Sequence, residues 1–538
     1  MTDNLLFFDF ISNSRYNKDI KGHSISALAG WTMQYQRDES TYAFANGFIT
    51  NNVPTLNAGT VTRGDSHASE WALLSGLARV QYNYKGKYMV TGALRADGAS
   101  RFGKDNRWGW FPSVSAGWRL TEEPFMKSLT FIDDLKLRAS YGLTGNFRIP
   151  NYGAQGEVAY YSYVLGGNSA DVVKGAAPKS MPNPELHWEK TAQVNIGFDA
   201  SLFKNRLTLG LDLYNSNTYD LLLDVPVPMT TGYKTRLENI GKVNNKGVEF
   251  NIATNQKMGD FNWSVYFNIS KNINEVKELG PGNADIISSG SVSNAYFITR
   301  VGEPIGSYYL PVVEGVFKNQ EEVDATLHYM DSPTNYGLAD TKPGDFKFKD
   351  VNGDKVLDIS DTDRAIVGNY MPDFIYGFGA TLAWKGIDFG IVFQGVQGNE
   401  ILNLSRRYFY NHEGNMNNYK GALNRWKSED EPGSGMNVRA NRVSKGQNGT
   451  TSTWHVEDGS YLRIKNISLG YTLPENWIKK VYLKSARIYC SLQNPFTFTH
   501  YEGYNPEVSN RSAVTTNGED YGVYPLARTT SIGVNLTF

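Results

Sequence analysis

The chain has 538 residues, 53 Lys and Arg against 54 Asp and Glu, a formal net charge of −1 and 13% aromatic residues. That charge balance excludes a general nucleic-acid binder, and the single cysteine, Cys490, excludes an intramolecular disulfide framework. No run of about eighteen apolar residues exists, which excludes an α-helical membrane span, while a mean hydropathy of −0.43 leaves open a β-barrel, whose strands turn only alternate residues to lipid.

The chain opens without the basic-then-apolar order of a signal peptide. Asn4 to Ile11 (NLLFFDFI) reads instead as a strand already under way. Ser24 to Gln36 is the next strand, followed by a polar loop reaching to about Glu70. Ala72 to Tyr84 and Tyr88 to Asp97 flank the short turn Tyr84-Lys85-Gly86-Lys87. Phe111 to Leu120 and Leu135 to Leu143 follow, then a long loop to Glu189. Thr191 to Ala200 and Leu207 to Tyr219 are joined by the tight turn Phe203-Lys204-Asn205-Arg206. Lys246 to Thr254 and Phe261 to Asn272 come next. A mixed, partly acidic stretch then runs from about 280 to 370. Asp373 to Ala383 and Ile387 to Gln397 flank Trp384-Lys385-Gly386. A polar segment from about 399 to 455 carries short helices around Tyr419 to Lys427. Tyr461 to Tyr471, Ser485 to Asn494 and Thr530 to Phe538 complete the set.

In the last strand Ile532, Val534, Leu536 and Phe538 alternate with Ser531, Gly533, Asn535 and Thr537. A period of two gives a sheet one apolar and one polar face. Connections alternate between tight turns and long loops, the asymmetry of a transmembrane barrel. Aromatics sit near strand ends, among them Tyr84, Tyr88, Trp108, Trp118, Trp263, Trp384 and Tyr471, where rings with a polar handle suit the headgroup level. The pattern predicts an all-β, transmembrane antiparallel β-barrel, partial, of about fourteen to sixteen strands with long extracellular loops.

One constellation suggests ion chemistry. In Asp350-Val351-Asn352-Gly353-Asp354-Lys355-Val356-Leu357-Asp358-Ile359-Ser360-Asp361, oxygens come from Asp350, Asn352, Asp354, Asp358 and Asp361 in the ligand order of an EF-hand calcium loop, with the carbonyl of Val356 between them. The loop departs from that pattern in placing Gly353 early, Lys355 where glycine belongs and Asp361 where glutamate closes. A solvated acidic turn around Asn352-Gly353 is the alternative, and Asp363 reads as a spare carboxylate. His187 beside Glu185 and Glu189 gives a weaker metal reading. The other histidines, His23, His67, His328, His412, His455 and His500, are scattered without ligand spacing. Arg95, Asp97, Arg101, Arg119, Lys136, Arg138, Glu189 and Arg463 read as inward charges lining a polar lumen, and Tyr408 to Tyr419 as a loop able to touch sugars by stacking. No nucleophile elbow, phosphate loop or dinucleotide fingerprint appears, so no enzyme is predicted.

Several segments carry a family likeness. RADGASRFG (Arg95 to Gly103), LRASYGLTGN (Leu137 to Asn146), NPELHWEK (Asn183 to Lys190) and LENIGKVNNKGVEF (Leu237 to Phe250) resemble the TonB-dependent outer-membrane receptors of the SusC/RagA type of Bacteroidetes. So do VGEPIGSYY (Val301 to Tyr309), GDFKFKDVNGDKVLDISDTD (Gly344 to Asp363), EDGSYLRIKNISLGY (Glu457 to Tyr471) and the terminal strand. The resemblance implies a signal peptide, a TonB-contacting segment, a plug and then a barrel of about twenty-two strands. It makes residues 1–538 the C-terminal part of such a barrel, without plug, TonB-contacting segment or signal peptide: a fragment, a split gene product or an engineered piece. It implies outer-membrane import of oligosaccharides or peptides, with a SusD-like lipoprotein at the extracellular face, the TonB complex reached through the absent N-terminal part, outer-membrane lipid around the barrel and no nucleic acid. It also makes the last strand an assembly signal that pairs with the first. No cofactor is required; calcium at the acidic loop is a candidate structural ion only. The alternative is a passive porin-like or surface-binding barrel.

Overall fold

The computed structural model describes residues 2–53, 55–164, 172–292, 294–329, 341–410, 412, 416–441, 447–478, 482–508 and 515–538. The main sheet has fifteen strands. They are β1 (Thr2–Ile20), β2 (His23–Asn46), β3 (Thr60–Tyr84), β4 (Tyr88–Ala99), β5 (Trp108–Arg119), β6 (Ile132–Asn146), β7 (Glu189–Leu202) and β8 (Leu207–Tyr219). They continue with β9 (Lys242–Met258), β10 (Phe261–Glu278), β11 (Phe374–Trp384), β12 (Ile387–Gln397), β13 (Tyr461–Thr472), β14 (Ser485–Thr499) and β15 (Thr529–Thr537). Each strand is hydrogen-bonded to the next in chain order, a meander. The chain divides into two compact units. The first comprises Met1–Thr130, Asp134–Phe198 and Tyr214–Val243, the second Phe131–Asp133, Asp199–Leu213 and Asn244–Phe538.

Register shows how sequence alternation becomes two faces. In the first unit one cross-strand row runs Tyr16, Ala27, Val80, Gly92, Val114, Tyr141 over β1 to β6. The adjacent row on the other face runs Asn17, Ser26, Gln81, Thr91, Ser115, Ser140. The second unit repeats the arrangement over β10 to β15. There Trp263, Leu382, Phe389, Leu469, Cys490 and Ile532 form one row, and Ser264, Thr381, Gly390, Ser468, Ser491 and Ser531 back it. A slip of one residue in any pair would mix the faces, so the pattern itself fixes the register. The apolar face is left open: Ile532 is 79% exposed and Val534 59%.

Turn chemistry sets the hairpins. Lys21-Gly22, Lys85-Gly86 and Lys385-Gly386 all have positive φ at both positions, as the centre of a type I′ turn requires; the first and last close two-residue loops, while Tyr84 pairs with Tyr88 across three residues. The aromatics near these turns form a ladder in the first unit. His23, Tyr84, Tyr88 and Trp118 are cross-strand partners, with ring centroids 4.6, 6.5 and 6.5 Å apart in succession. At the other end of β5 stands Trp108, exposed like Trp110. Trp108 and Trp118 are separated by roughly 34 Å of strand.

Two expectations change. The loop expected between Gln36 and Glu70 is largely strand, because β2 continues to Asn46 and β3 starts at Thr60. Arg37 to Thr41 and Thr62 to Glu70 carry no large apolar residue, so alternation disappears there while the backbone ladder continues. The helices expected around Tyr419 to Lys427 reduce to one 3-10 turn, Lys420–Asn424, with a four-residue helix at Arg406–Phe409. The long connections of the second unit are folded. Ile286–Ser289, Tyr296–Thr299, Ser307–Leu310 and Ala365–Gly368 make a four-stranded sheet. Its core joins Phe297, Tyr308 and Leu310 to Leu402 and Leu404. A second core packs Val313, Phe346, Phe348, Val438 and Trp454.

Candidate functional site

On the polar face of the first unit lies a cavity of about 710 Å3. Its aromatic wall comes from Phe111, Phe147 and Trp188, and its polar side from Arg95, Asp97, Ser113 and Gln193. The Trp188 ring stands 5.2 Å from Phe111 and 5.6 Å from Phe147, and its Nε1–H donates to the Arg107 carbonyl at 2.8 Å. Glycines make this wall possible. A Cβ on Gly109 would come within 2.4 Å of the Phe111 ring, and one on Gly145 within 2.2 Å. Arg95 Nε donates to both Asp97 oxygens at 2.8 Å and Nη2 to Ser75 Oγ at 3.1 Å, so the cation is fixed beside the cavity.

The eight charges read as lumen-facing fall into three sets. Arg95, Asp97, Lys136 and Arg138 line cavities of the polar face. Arg101, Glu189 and Arg463 instead bind loops to strands. The Arg101 guanidinium sits 4.9 Å from the Trp71 ring and 5.3 Å from Phe147, with Nε donating to Asn151 at 2.8 Å. Glu189 accepts from Asn146 Nδ2 and from the Leu222 amide, each at 3.3 Å. Arg463, on β13, is 1% exposed; it donates to Thr497 at 2.9 Å and Asn505 at 2.8 Å and pairs with Glu507. Arg119 pairs with Asp134 at 3.1 Å.

The acidic loop is organised by its own backbone. Asp350 accepts from the amides of Gly353 (2.7 Å) and Lys355 (3.0 Å), Asn352 from Asp354 (2.9 Å), and Asp354 from Val356 (2.8 Å). Asp358 accepts from the Ser360 amide at 3.0 Å, and Asp361 is exposed. The residue that ties the loop is Asp363, read from sequence as spare. It is fully buried and accepts from the amides of Val351 at 2.8 Å and Asp358 at 2.6 Å. Lys355, at the position where an EF-hand has glycine, adopts φ +65°, and Gly353 φ +74°. Among the described residues no group of three or more His, Cys, Asp or Glu side chains is placed to hold a metal ion.

His187 faces Asp220. Its Nε2 is 3.5 Å from Asp220, and its Nδ1 is 3.0 Å from the Glu185 carbonyl. Within Tyr408 to Tyr419 the rings of Phe409 and Tyr419 stack on each other at 4.5 Å; residues 411 and 413–415 of that loop, and the side chain of His328, lie outside the described residues. Sequence reasoning passed over His455, which is fully buried. The Ser452 amide donates to its Nδ1 at 3.2 Å, so Nε2 carries the proton of the neutral ring. Burial, with Arg406 and Arg407 adding to it, pushes its pKa down to about 3.

A family model described as TonB dependent receptor-like, beta-barrel, matches residues 2–494. The chain belongs to the TonB-dependent receptor family. It is 37% identical to TonB-dependent receptor P3 of Formosa agariphila over 540 residues, 97% of this chain and 51% of that one. It is 30% identical to TonB-dependent receptor SusC of Bacteroides thetaiotaomicron, covering 88% of this chain and 44% of SusC. The solved structure of the RagAB peptide transporter superimposes with a TM-score of 0.80 at 25% identity, over 100% of this chain and 56% of that one. The RagAB peptide importer in its open-open state gives the same TM-score at 26% identity. This TonB-dependent receptor is therefore of the SusC/RagA type, a strand-built outer-membrane protein from a family of transporters with no known catalytic activity. The chain spans about half the length of the curated relatives it matches.

Proposed function

We propose that the chain supplies barrel strands and extracellular loops to an active, TonB-linked importer that works with a SusD-like surface lipoprotein. The observation that carries this reading is the paired rows of the sheet, apolar on one face and Ser/Thr/Asn/Gln/Gly on the other, in a chain that superimposes over its whole length on a peptide importer. The apolar face meets lipid and the polar face meets water. RagAB is named as a peptide transporter, which favours peptides as the solute; oligosaccharides are the other class. In this reading residues 1–538 are one barrel portion that closes with further strands, and the plug and TonB-contacting segments belong to the length of the relatives that the chain does not span. Gradient fractionation of membranes from cells making the protein places it in the outer membrane, and a tagged form co-purifies a SusD-like lipoprotein. Recovery in the aqueous fraction without detergent would sink the proposal.

Calcium at Asp350, Asn352, Asp354, Val356, Asp358 and Asp361 is a separate proposal. The EF-hand ligand order and the left-handed backbone at Lys355 support it. Calorimetric titration with calcium chloride gives saturable heat that Asp354→Ala abolishes. No heat with the parent protein rejects the site.

A further inference from the structure

A groove of about 670 Å3 lies on the apolar face of the first unit, across β4 to β7. Register shows why it forms. On that face Tyr88, Trp118 and Leu137 make one cross-strand row, and Val90, Ala116 and Ala139 make the next. The row beyond carries Val114 opposite Tyr141. Two alanines side by side between rows of large residues leave a recess, with Ala116 and Ala139 as its exposed floor and Ile196 of β7 along its side. The wall toward the short turns is held in place. Trp118 Nε1–H donates to Glu123 Oε1 at 3.0 Å, and Tyr88 Oη donates to the same oxygen at 2.7 Å. Glu123 is buried and accepts from Lys87 Nζ at 2.6 Å. The polar edges of both rings are thus tied to the connection after β5, and their apolar surfaces stay with the groove.

We propose that this groove is a binding site for one phospholipid of the periplasmic leaflet, whose acyl chain lies over Ala116 and Ala139. Short turns mark the periplasmic side of an outer-membrane barrel, and rings with a polar handle stand at the headgroup level. Tyr88 and Trp118 therefore mark where the headgroup sits, and the chain runs from them along the strands toward Val114 and Tyr141. Lipid tails are as apolar as the groove, so the gain is packing: a recess offers an alkyl chain more atoms in contact than the open face does. The volume is in the range of small-molecule sites. A second copy of the chain is a poorer fit, because the convex outside of another barrel would ride on the rim made by Trp118 and Tyr141, whereas a flexible chain bends into the recess. The inference rests on reading the apolar face as the lipid-facing one.

Dioleoylphosphatidylethanolamine is titrated into the detergent-solubilised chain and its adducts are read by native mass spectrometry. One lipid binds saturably to the parent protein. Ala116→Trp and Ala139→Trp, each placing a ring in the groove from an exposed position, lower its affinity at least about tenfold. Val265→Trp, on the apolar face of the second unit, leaves it unchanged. No saturable lipid on the parent, an equal loss in V265W, or unchanged binding in either alanine variant that keeps its strand signal by circular dichroism overturns the proposal. So does a dimer of the parent that A116W dissolves, which assigns the groove to a second copy. Detergent-phase partition of the same samples, scored independently of lipid binding, reports on the lipid-facing reading.

Discussion

His455 shows what a single buried residue contributes. A neutral imidazole with its pKa near 3 resists protonation in the folded chain, whereas the unfolded chain takes up the proton below the ordinary value of 6.5. The folded pKa is the lower one, so the unfolded state binds more protons as pH falls and stability drops. The loss begins near pH 6.5 and is complete near pH 3, at up to about 1.4 kcal/mol per pH unit between those limits. Urea unfolding across that range shows the slope, and His455→Gln flattens it; an unchanged slope in the variant removes the histidine from the account. Gly103 argues the same scale from close approach. A Cβ there would sit 1.9 Å from the Pro184 carbonyl oxygen, backbone that cannot step aside cheaply. Gly103→Ala is expected to cost about 1–3 kcal/mol, read from the shift in unfolding midpoint, while Gly64→Ala, with open space around it, changes little. Neither role was legible in the sequence. His455 carries no ligand spacing, and the need for glycine at position 103 comes from a residue 81 positions away. Asp363 makes the point again: one more acid at the end of an acidic run turns out to be the buried one that ties the loop together.

At the scale of elements, alternation served where one face is apolar and failed where both are polar. β10 to β15 were readable because Leu469 and Ser468, neighbours in sequence, belong to rows of opposite character. The outer halves of β2 and β3 were not, because RDESTYAFAN and TVTRGDSHASEW lack that contrast, although Thr41 still pairs with Ser66 and Phe44 with Arg63. The same logic gives a paired test. Leu469→Arg places a charge on the lipid side of β13, two residues from Tyr471, and is expected to cost about 1–2 kcal/mol in lipid vesicles, between the midplane and interface values. Ser468→Arg points to the polar face and costs less than about 1 kcal/mol. Unfolding titrations of the two variants decide it, and equal losses would remove the distinction between lipid and water faces. The turns at Lys85-Gly86 and Lys385-Gly386 were legible in the sequence, but the left-handed backbone of the three consecutive residues Phe203, Lys204 and Asn205 was not, and hydrogen bonds from outside the turn help to hold it. One such bond is the Asn205 amide to Asp133 at 2.8 Å.

At the scale of the whole molecule, the long connections of the second unit behave as packed structure. Sequence offered only mixed segments there, because strands of three or four residues are too short to show a period and their partners are remote. The residues nevertheless bury one another: Phe297, Tyr308, Leu310, Leu402 and Leu404 are all inaccessible, and Tyr308 Oη donates to the Glu400 carbonyl at 2.9 Å from 92 positions away. The Leu402 amide donates to the Gly518 carbonyl at 2.9 Å, and Leu404 to Asp520 at 3.0 Å, joining three distant stretches of chain. Arg439 reaches the buried Asp345 at 2.7 Å, which also accepts from Asn448 at 2.9 Å. Amides with such partners open only when the packed layer opens. Hydrogen exchange of the detergent-folded protein therefore finds Leu402, Leu404 and Phe346 protected to a degree comparable with the strands of β12 and β13, while Gly353 and Ser360 of the exposed acidic loop exchange fast. Asp345→Ala leaves Arg439 and Asn448 without their shared acceptor, and raises exchange at Phe346, whose amide donates to Asn448 Oδ1 at 2.9 Å. It leaves β12 untouched, because the sheet ladder does not depend on the loop core. Fast exchange at all these loop amides in the parent protein would mean that the loops carry no cooperative core.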